Sequence, residues 1–147
     1  MKRRVVLLVE DSPDDLALIQ IAIQAMRRPF DLVAVTDGQE ALDWVYARGP
    51  YAGREALVEP ALILLDLKLP ILDGIEVLQA LRAHPSHQMV PVVVMTTSEM
   101  PKDIARAYEC GANAYVKKPM GLLELVDQLE SIEHFWLSFN VLHPSVR

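Results

Sequence analysis

Five polar residues stand at four places where apolar or strand-like segments stop. Residues 5–9 end in Glu10-Asp11, residues 61–65 in Asp66, residues 90–95 in Thr96, and the short segment 113–117 in Lys118. Short apolar runs of this kind read as strands buried on both faces of a parallel sheet. In open α/β sheets ligands bind beyond the carboxyl ends of the strands, where these five residues fall. If the first and third runs are neighbours, three carboxylates meet. At 4 Å and an effective dielectric of about 20, each close pair costs about 4 kcal/mol. Such a cluster is stable when it protonates or binds a cation. Carboxylate oxygens without a His or Cys partner favour Mg²⁺ or Mn²⁺. Thr96 adds a hydroxyl donor, and Lys118 offers a point positive charge to an oxyanion. Together these residues describe a phosphoryl site in which Asp66 is the nucleophile. Each residue alone also has a plainer reading as a cap, a turn residue or a solvated strand end. The signal is their coincidence at four strand ends.

The elements that must position them follow from capping and periodicity. Ser12-Pro13-Asp14-Asp15 opens a helix, with Ser as cap and Pro in the first turn. Leu16, Ile19, Ile23 and Met26 keep helical spacing until Arg27-Arg28-Pro29. Residues 30–35 read as a strand, and Asp37-Gly38 opens a second helix. Residues 49–59 carry Pro, Gly and charge and read as an exposed loop. After Asp66, Pro70 stops the chain and Asp73-Gly74 finishes a turn. Ile75, Leu78 and Leu81 share one face of a third helix, which ends before Pro85. Pro101 starts a fourth helix that runs to Glu109, with Gly111 as its C-cap. Lys118-Pro119 breaks the fifth strand, and a last helix runs from about residue 121 into the 130s. Five strands alternating with five helices predict a doubly wound α/β fold, a five-stranded parallel sheet in the flavodoxin-like order 2-1-3-4-5. That order brings Glu10-Asp11 beside Asp66.

Composition excludes several classes. The 147 residues suit one domain, with 52% hydrophobic and 23% charged residues. A net charge of −6 argues against nucleic-acid binding, which needs Lys and Arg to neutralise phosphates. Cys110 is the one cysteine, so the chain can form no internal disulfide. No apolar stretch is long enough to span a membrane, and the five-residue run after the basic N-terminus is too short for a signal peptide. A cytoplasmic protein without a membrane partner is expected.

Glu10-Asp11, Asp66-Leu67-Lys68-Leu69-Pro70 with Asp73-Gly74, Thr96, and Tyr115-Val116-Lys117-Lys118-Pro119 resemble the receiver domain of two-component response regulators. The resemblance covers residues 3–130, with 131–147 as an extension of the last helix plus a tail. It implies a β5α5 fold, a sensor histidine kinase as partner, and Mg²⁺-dependent transfer of a phosphoryl group to Asp66. It makes Glu10, Asp11, Asp66 and the Lys68 backbone carbonyl the metal ligands, Lys118 the phosphate-binding lysine, and Thr96 with Tyr115 the switch pair. It also implies a cis Lys118–Pro119 bond. Thr97 departs from the family, which usually has Ala, Gly or Ser there, and implies slower entry to the site. The loop at 49–59 and the aromatic tail are similar to small stand-alone regulators paired with bacterial phytochrome kinases. The residues beyond 130 are too few for a DNA-binding output domain.

Two other functions use parts of this pattern. A phosphatase of the haloacid dehalogenase type also has a strand-end Asp nucleophile with Mg²⁺. It needs a second acid two residues later, where this chain has Lys68. A degenerate receiver used as a scaffold would lack site residues that are all present here. The tail adds one more expectation. Helical spacing puts Leu129, Ile132 and Trp136 on one side and leaves Phe135 and Phe139 toward another. A homodimer is therefore expected through helix 4, strand 5, helix 5 and the tail, with Phe135, Trp136 and Phe139 at the interface.

Overall fold

The computed structural model describes residues 3–55 and 58–146. Its elements alternate strand and helix: β1 Arg3–Val9, α1 Pro13–Gln24, β2 Leu32–Val35, α2 Gly38–Tyr46, β3 Val58–Leu65, α3 Gly74–Ala83, β4 Val92–Thr96, α4 Pro101–Glu109, β5 Ala114–Lys117 and α5 Leu122–Ile132. The strands form one parallel sheet in the order β2-β1-β3-β4-β5, as the sequence predicts. The register places Val9 level with both Val35 and Leu65, and Thr96 level with Lys117. The residues that follow these positions therefore emerge along one edge of the sheet.

The strand residues alternate between two cores, as the two-residue period of a strand requires. Leu7, Val9, Ile63, Leu65, Val92 and Val94 pack under α2, α3 and α4, with Leu42, Val77, Leu78 and Leu81. Val6, Leu8, Leu62, Leu64, Val93 and Met95 pack under α1 and α5, with Ile19, Ile23, Leu125 and Leu129. Both faces are covered, so the strands carry continuous apolar runs rather than alternating polar residues.

Several boundaries move from their expected places. Helix α1 stops at Gln24, before the Arg27-Arg28-Pro29 break, and β2 starts at Leu32 rather than residue 30. Strand β3 starts at Val58, which shortens the loop expected at 49–59. A 3-10 turn at Gly49–Tyr51 takes up part of the remainder. Arg54 fastens the rest by donating to the carbonyls of Trp44, Val45 and Val58, its guanidinium stacked over the Trp44 ring. Strand β4 starts at Val92 because Pro91 has no N–H to give the ladder; the Val92 N–H instead donates to the Asn113 side chain. Asp73 does more than finish a turn. It caps α3 in a reciprocal box with Glu76.

No cis peptide bond occurs among the described residues, which corrects the expectation for Lys118–Pro119. The trans form is the favoured state of an X–Pro bond. The Lys118 side chain reaches the site from it.

At its far end α5 widens into a π-helical turn over Glu133–Phe139. Leu129 and Ile132 are buried, and Trp136 and Leu137 pack beside them on the same core. Phe135 and Phe139 point outward, 51% and 67% exposed. The helical spacing thus predicts the two faces correctly. Arg4 donates to the Val146 carbonyl and holds the end of the tail across the molecule. Among the described residues, no helix is long and apolar enough to cross a membrane.

Candidate functional site

The backbone ladder continues one bond past three strands and fixes the site residues. Glu10 N–H donates to the Val35 carbonyl at 3.0 Å, Asp66 N–H to Val9 at 3.2 Å, and Lys118 N–H to Thr96 at 2.8 Å. The loop after Asp66 must pass close behind it. A Cβ on Gly74 would lie 2.4 Å from the Asp66 carbonyl oxygen, so only glycine fits.

Four of the expected residues converge. Lys118 Nζ lies 2.8 Å from Asp66 Oδ2 and is also ion-paired with Glu10 Oε1. It has a further partner, Asp15 Oδ2, at 3.0 Å. Glu10 is 1% exposed, and its second oxygen accepts from the Ser12 N–H at 3.1 Å. Asp66 is buried and its Oδ1 accepts from the Lys68 N–H at 3.3 Å. Asp11 is exposed at the rim. Glu10, Asp11 and Asp66 each offer an oxygen, all within 4.8 Å of one another. Among the described residues this is the one cluster of His, Cys, Asp and Glu that could hold a metal ion. The donors are all hard oxygens, which suits Mg²⁺ or Mn²⁺.

Electrostatics bind the cluster together. Burial pushes the Glu10 carboxyl above the ordinary glutamate value, and the bonds from Lys118 and Ser12 only partly offset it. Burial also pulls the Lys118 ammonium down, but its bonds to Asp66, Glu10 and Asp15 outweigh that and leave it above the ordinary lysine value. Lys118 is thus a fixed positive charge among acids.

Thr96 stands at the next strand end. It is 1% exposed, and its hydroxyl has no hydrogen-bond partner among the described residues. An unsatisfied buried hydroxyl costs about 1–3 kcal/mol, so an acceptor arriving beside Asp66 would relieve it. Tyr115, on β5, donates its hydroxyl to the Ser98 carbonyl at 2.9 Å, and burial raises its pKa. Ser98 in turn donates to Asp103 Oδ2 at 2.5 Å, tying the β4–α4 loop to the first turn of α4. Thr97 faces solvent and lines, with Asp15, Leu18, Lys118 and Met120, a cavity of about 250 Å³.

Sequence reasoning missed Asp15, Ser98 and Asp103. Asp15 had a readable signal, since it lies four residues past Asp11 on the turn that follows the acidic strand end. Ser98 and Asp103 had none, because their link depends on the path of a loop. The tail residues Phe135, Trp136 and Phe139 lie away from the site. Trp136 lines a groove with Arg4, Val5 and Ala61, near the opposite edge of the sheet.

Residues 6–130 match the response regulator receiver domain. The response regulator Rcp1 of Synechocystis is 39% identical over 134 residues, covering 91% of this chain and 89% of that protein. The crystal structure of the phosphorylated cyanobacterial phytochrome response regulator RcpA is similar at a TM-score of 0.85 and 39% identity, over 97% of this chain and 99% of RcpA. The Mn²⁺-bound form of Rcp1 is similar at a TM-score of 0.82 and 37% identity, over 95% of this chain and 98% of that one.

Proposed function

Because the chain belongs to the response regulator receiver family, whose members are signalling proteins served by histidine kinases, we propose that it accepts a phosphoryl group on Asp66. The observation that carries this reading is Lys118, which joins Asp66 to Glu10 beside Asp11, one strand from the orphaned Thr96 hydroxyl. The family's signalling chemistry replaces the phosphatase alternative, whose second acid has no counterpart at Lys68.

In the proposed reaction an Asp66 carboxylate oxygen attacks the phosphorus of a phosphohistidine. The new bond is P–O, the bond broken is P–N, and the imidazole of the kinase leaves. Glu10, Asp11 and Asp66, with the Lys68 carbonyl, would hold a divalent ion. That ion supplies charge neutralisation at the phosphoryl oxygens. Lys118 supplies a second positive charge from the other side. Thr96 then donates its hydroxyl to a phosphoryl oxygen. Tyr115 gives up the Ser98 carbonyl and moves its ring into the space vacated, which changes the face made by α4, β5 and α5. The phosphoryl contact biases an element with two arrangements rather than creating a new one.

Two finer readings rest on the relatives and on the tail. The kinase is of the phytochrome type, in keeping with the phytochrome regulator RcpA. The output is a homodimer formed through α4, β5, α5 and the tail, with exposed Phe135 and Phe139 as contacts and Trp136 supporting them from the core side. A labelled phosphodonor with Mg²⁺ tests the reading. Wild type should take acid-labile label, and Asp66→Asn should take none. Equal labelling of both proteins would refute it, and no label on either would leave a scaffold receiver.

A further inference from the structure

Lys118 holds oxygens that a metal ion also needs. Both oxygens of Glu10 are engaged, one by Lys118 and the other by the Ser12 N–H, and Lys118 bonds Asp66 as well. Yet Glu10 and Asp66 are two members of the three-acid cluster. An ammonium and a divalent ion repel each other at such range, so the ion can settle on Glu10 only if Lys118 withdraws. Among the described residues Asp15 is the one ion-pair partner of the Lys118 ammonium that lies outside the cluster. Its carboxylate is 3.0 Å from Nζ, and its side chain is 43% exposed. Its position is set by α1, because the Asp15 backbone N–H donates to the Ser12 hydroxyl that caps the helix.

We propose that Asp15 is a positioning residue: it takes the Lys118 ammonium as a divalent ion displaces it from Glu10, and so sets the affinity of the site for metal. This rests on the metal-binding part of the function proposed above. Asp15 acts through Lys118 and need not touch the ion. Its bond to Lys118 counts for more once the ion is bound, since Lys118 then has fewer other partners.

The test is Mn²⁺ titration by calorimetry of the 147-residue wild type, Asp15→Asn and Asp14→Asn, and of the first two again with Lys118→Met. Asn at 15 keeps the backbone capping bond. Asp14 lies in the same first turn, and its loss removes the same charge. D15N should weaken Mn²⁺ binding about fivefold, in line with the upper end for one part-exposed ion pair. D14N should change it less than about twofold, a screened surface charge. With Lys118→Met, D15N should cost no more than the screened surface charge that D14N measures. Equal weakening by D14N and D15N, an unchanged D15N affinity, or a full D15N effect that survives Lys118→Met would each overturn the inference and leave the metal site standing. Absence of Mn²⁺ binding by wild type would overturn the metal site and the inference together. If Lys118→Met does not fold, the D14N comparison decides.

Discussion

The two ends of α5 work on opposite principles. Its start follows Lys118, where a lysine and four acids crowd one edge of the sheet. Its end, with the π-helical turn, packs Leu129, Ile132 and Trp136 on the core and leaves Phe135 and Phe139 outside. At the first end, like charges and an orphaned hydroxyl are kept together at a cost in stability, as expected of a site awaiting a ligand. At the second, burial stabilises the fold and the surplus apolar surface is displayed. One helix thus links an edge where charged groups crowd together to an edge that displays apolar rings.

The comparison breaks most readily in the core. Leu129→Ala should destabilise the protein by about 2–5 kcal/mol in denaturant melts, whereas Phe139→Ser should change monomer stability by less than about 0.5 kcal/mol. Similar losses would mean that the outer rings are packed after all.

The next largest effect is expected at the polar edge. Mg²⁺ at 100 times its dissociation constant should add about 2.7 kcal/mol of stability to the wild type. Asp11→Ala should remove most of that gain, read as the metal-dependent rise in Tm. An intact response in the variant would take Asp11 out of the metal set.

Assembly comes third. Sedimentation at tens of micromolar should show a dimer for wild type and a monomer for the double variant Phe135→Ser, Phe139→Ser, with labelling of Asp66 retained. A wild type that stays monomeric with and without phosphorylation would assign these rings no such role. Deleting residues 134–147 is a poorer test, since it strips Trp136 and Leu137 from the core.

The smallest effect is in pH dependence. The Glu10 carboxyl is raised by burial above its unfolded value of 4.5. Its protonated form is thus favoured in the fold. The stability it adds is present below pH 4.5 and is lost as pH rises through the folded value. The stability difference between wild type and Glu10→Gln, measured without metal across that window, should therefore shift against wild type as pH rises. With Mg²⁺ the sign reverses, because the ion binds the carboxylate. A flat difference profile would mean that Lys118 and Ser12 fully offset the burial of Glu10.

The sequence by itself determined the sheet and which polar residues stand at its edge. Unbroken apolar runs required a sheet buried on both faces, and breaker residues placed Glu10, Asp66, Thr96 and Lys118 after their strands. It also divided the tail correctly, since helical period alone separates Leu129, Ile132 and Trp136 from Phe135 and Phe139. Only the tertiary structure decided what those residues touch. That Lys118 is shared with Asp15, that the Thr96 hydroxyl has no partner, and that Tyr115 reaches Ser98 all depend on how three loops close over the edge of the sheet. The Arg54 tie and the early start of β3 are of the same kind. Periodicity is a property of neighbours along the chain. A hydrogen bond between Asp15 and Lys118 joins residues 103 positions apart, and nothing local to either residue specifies it.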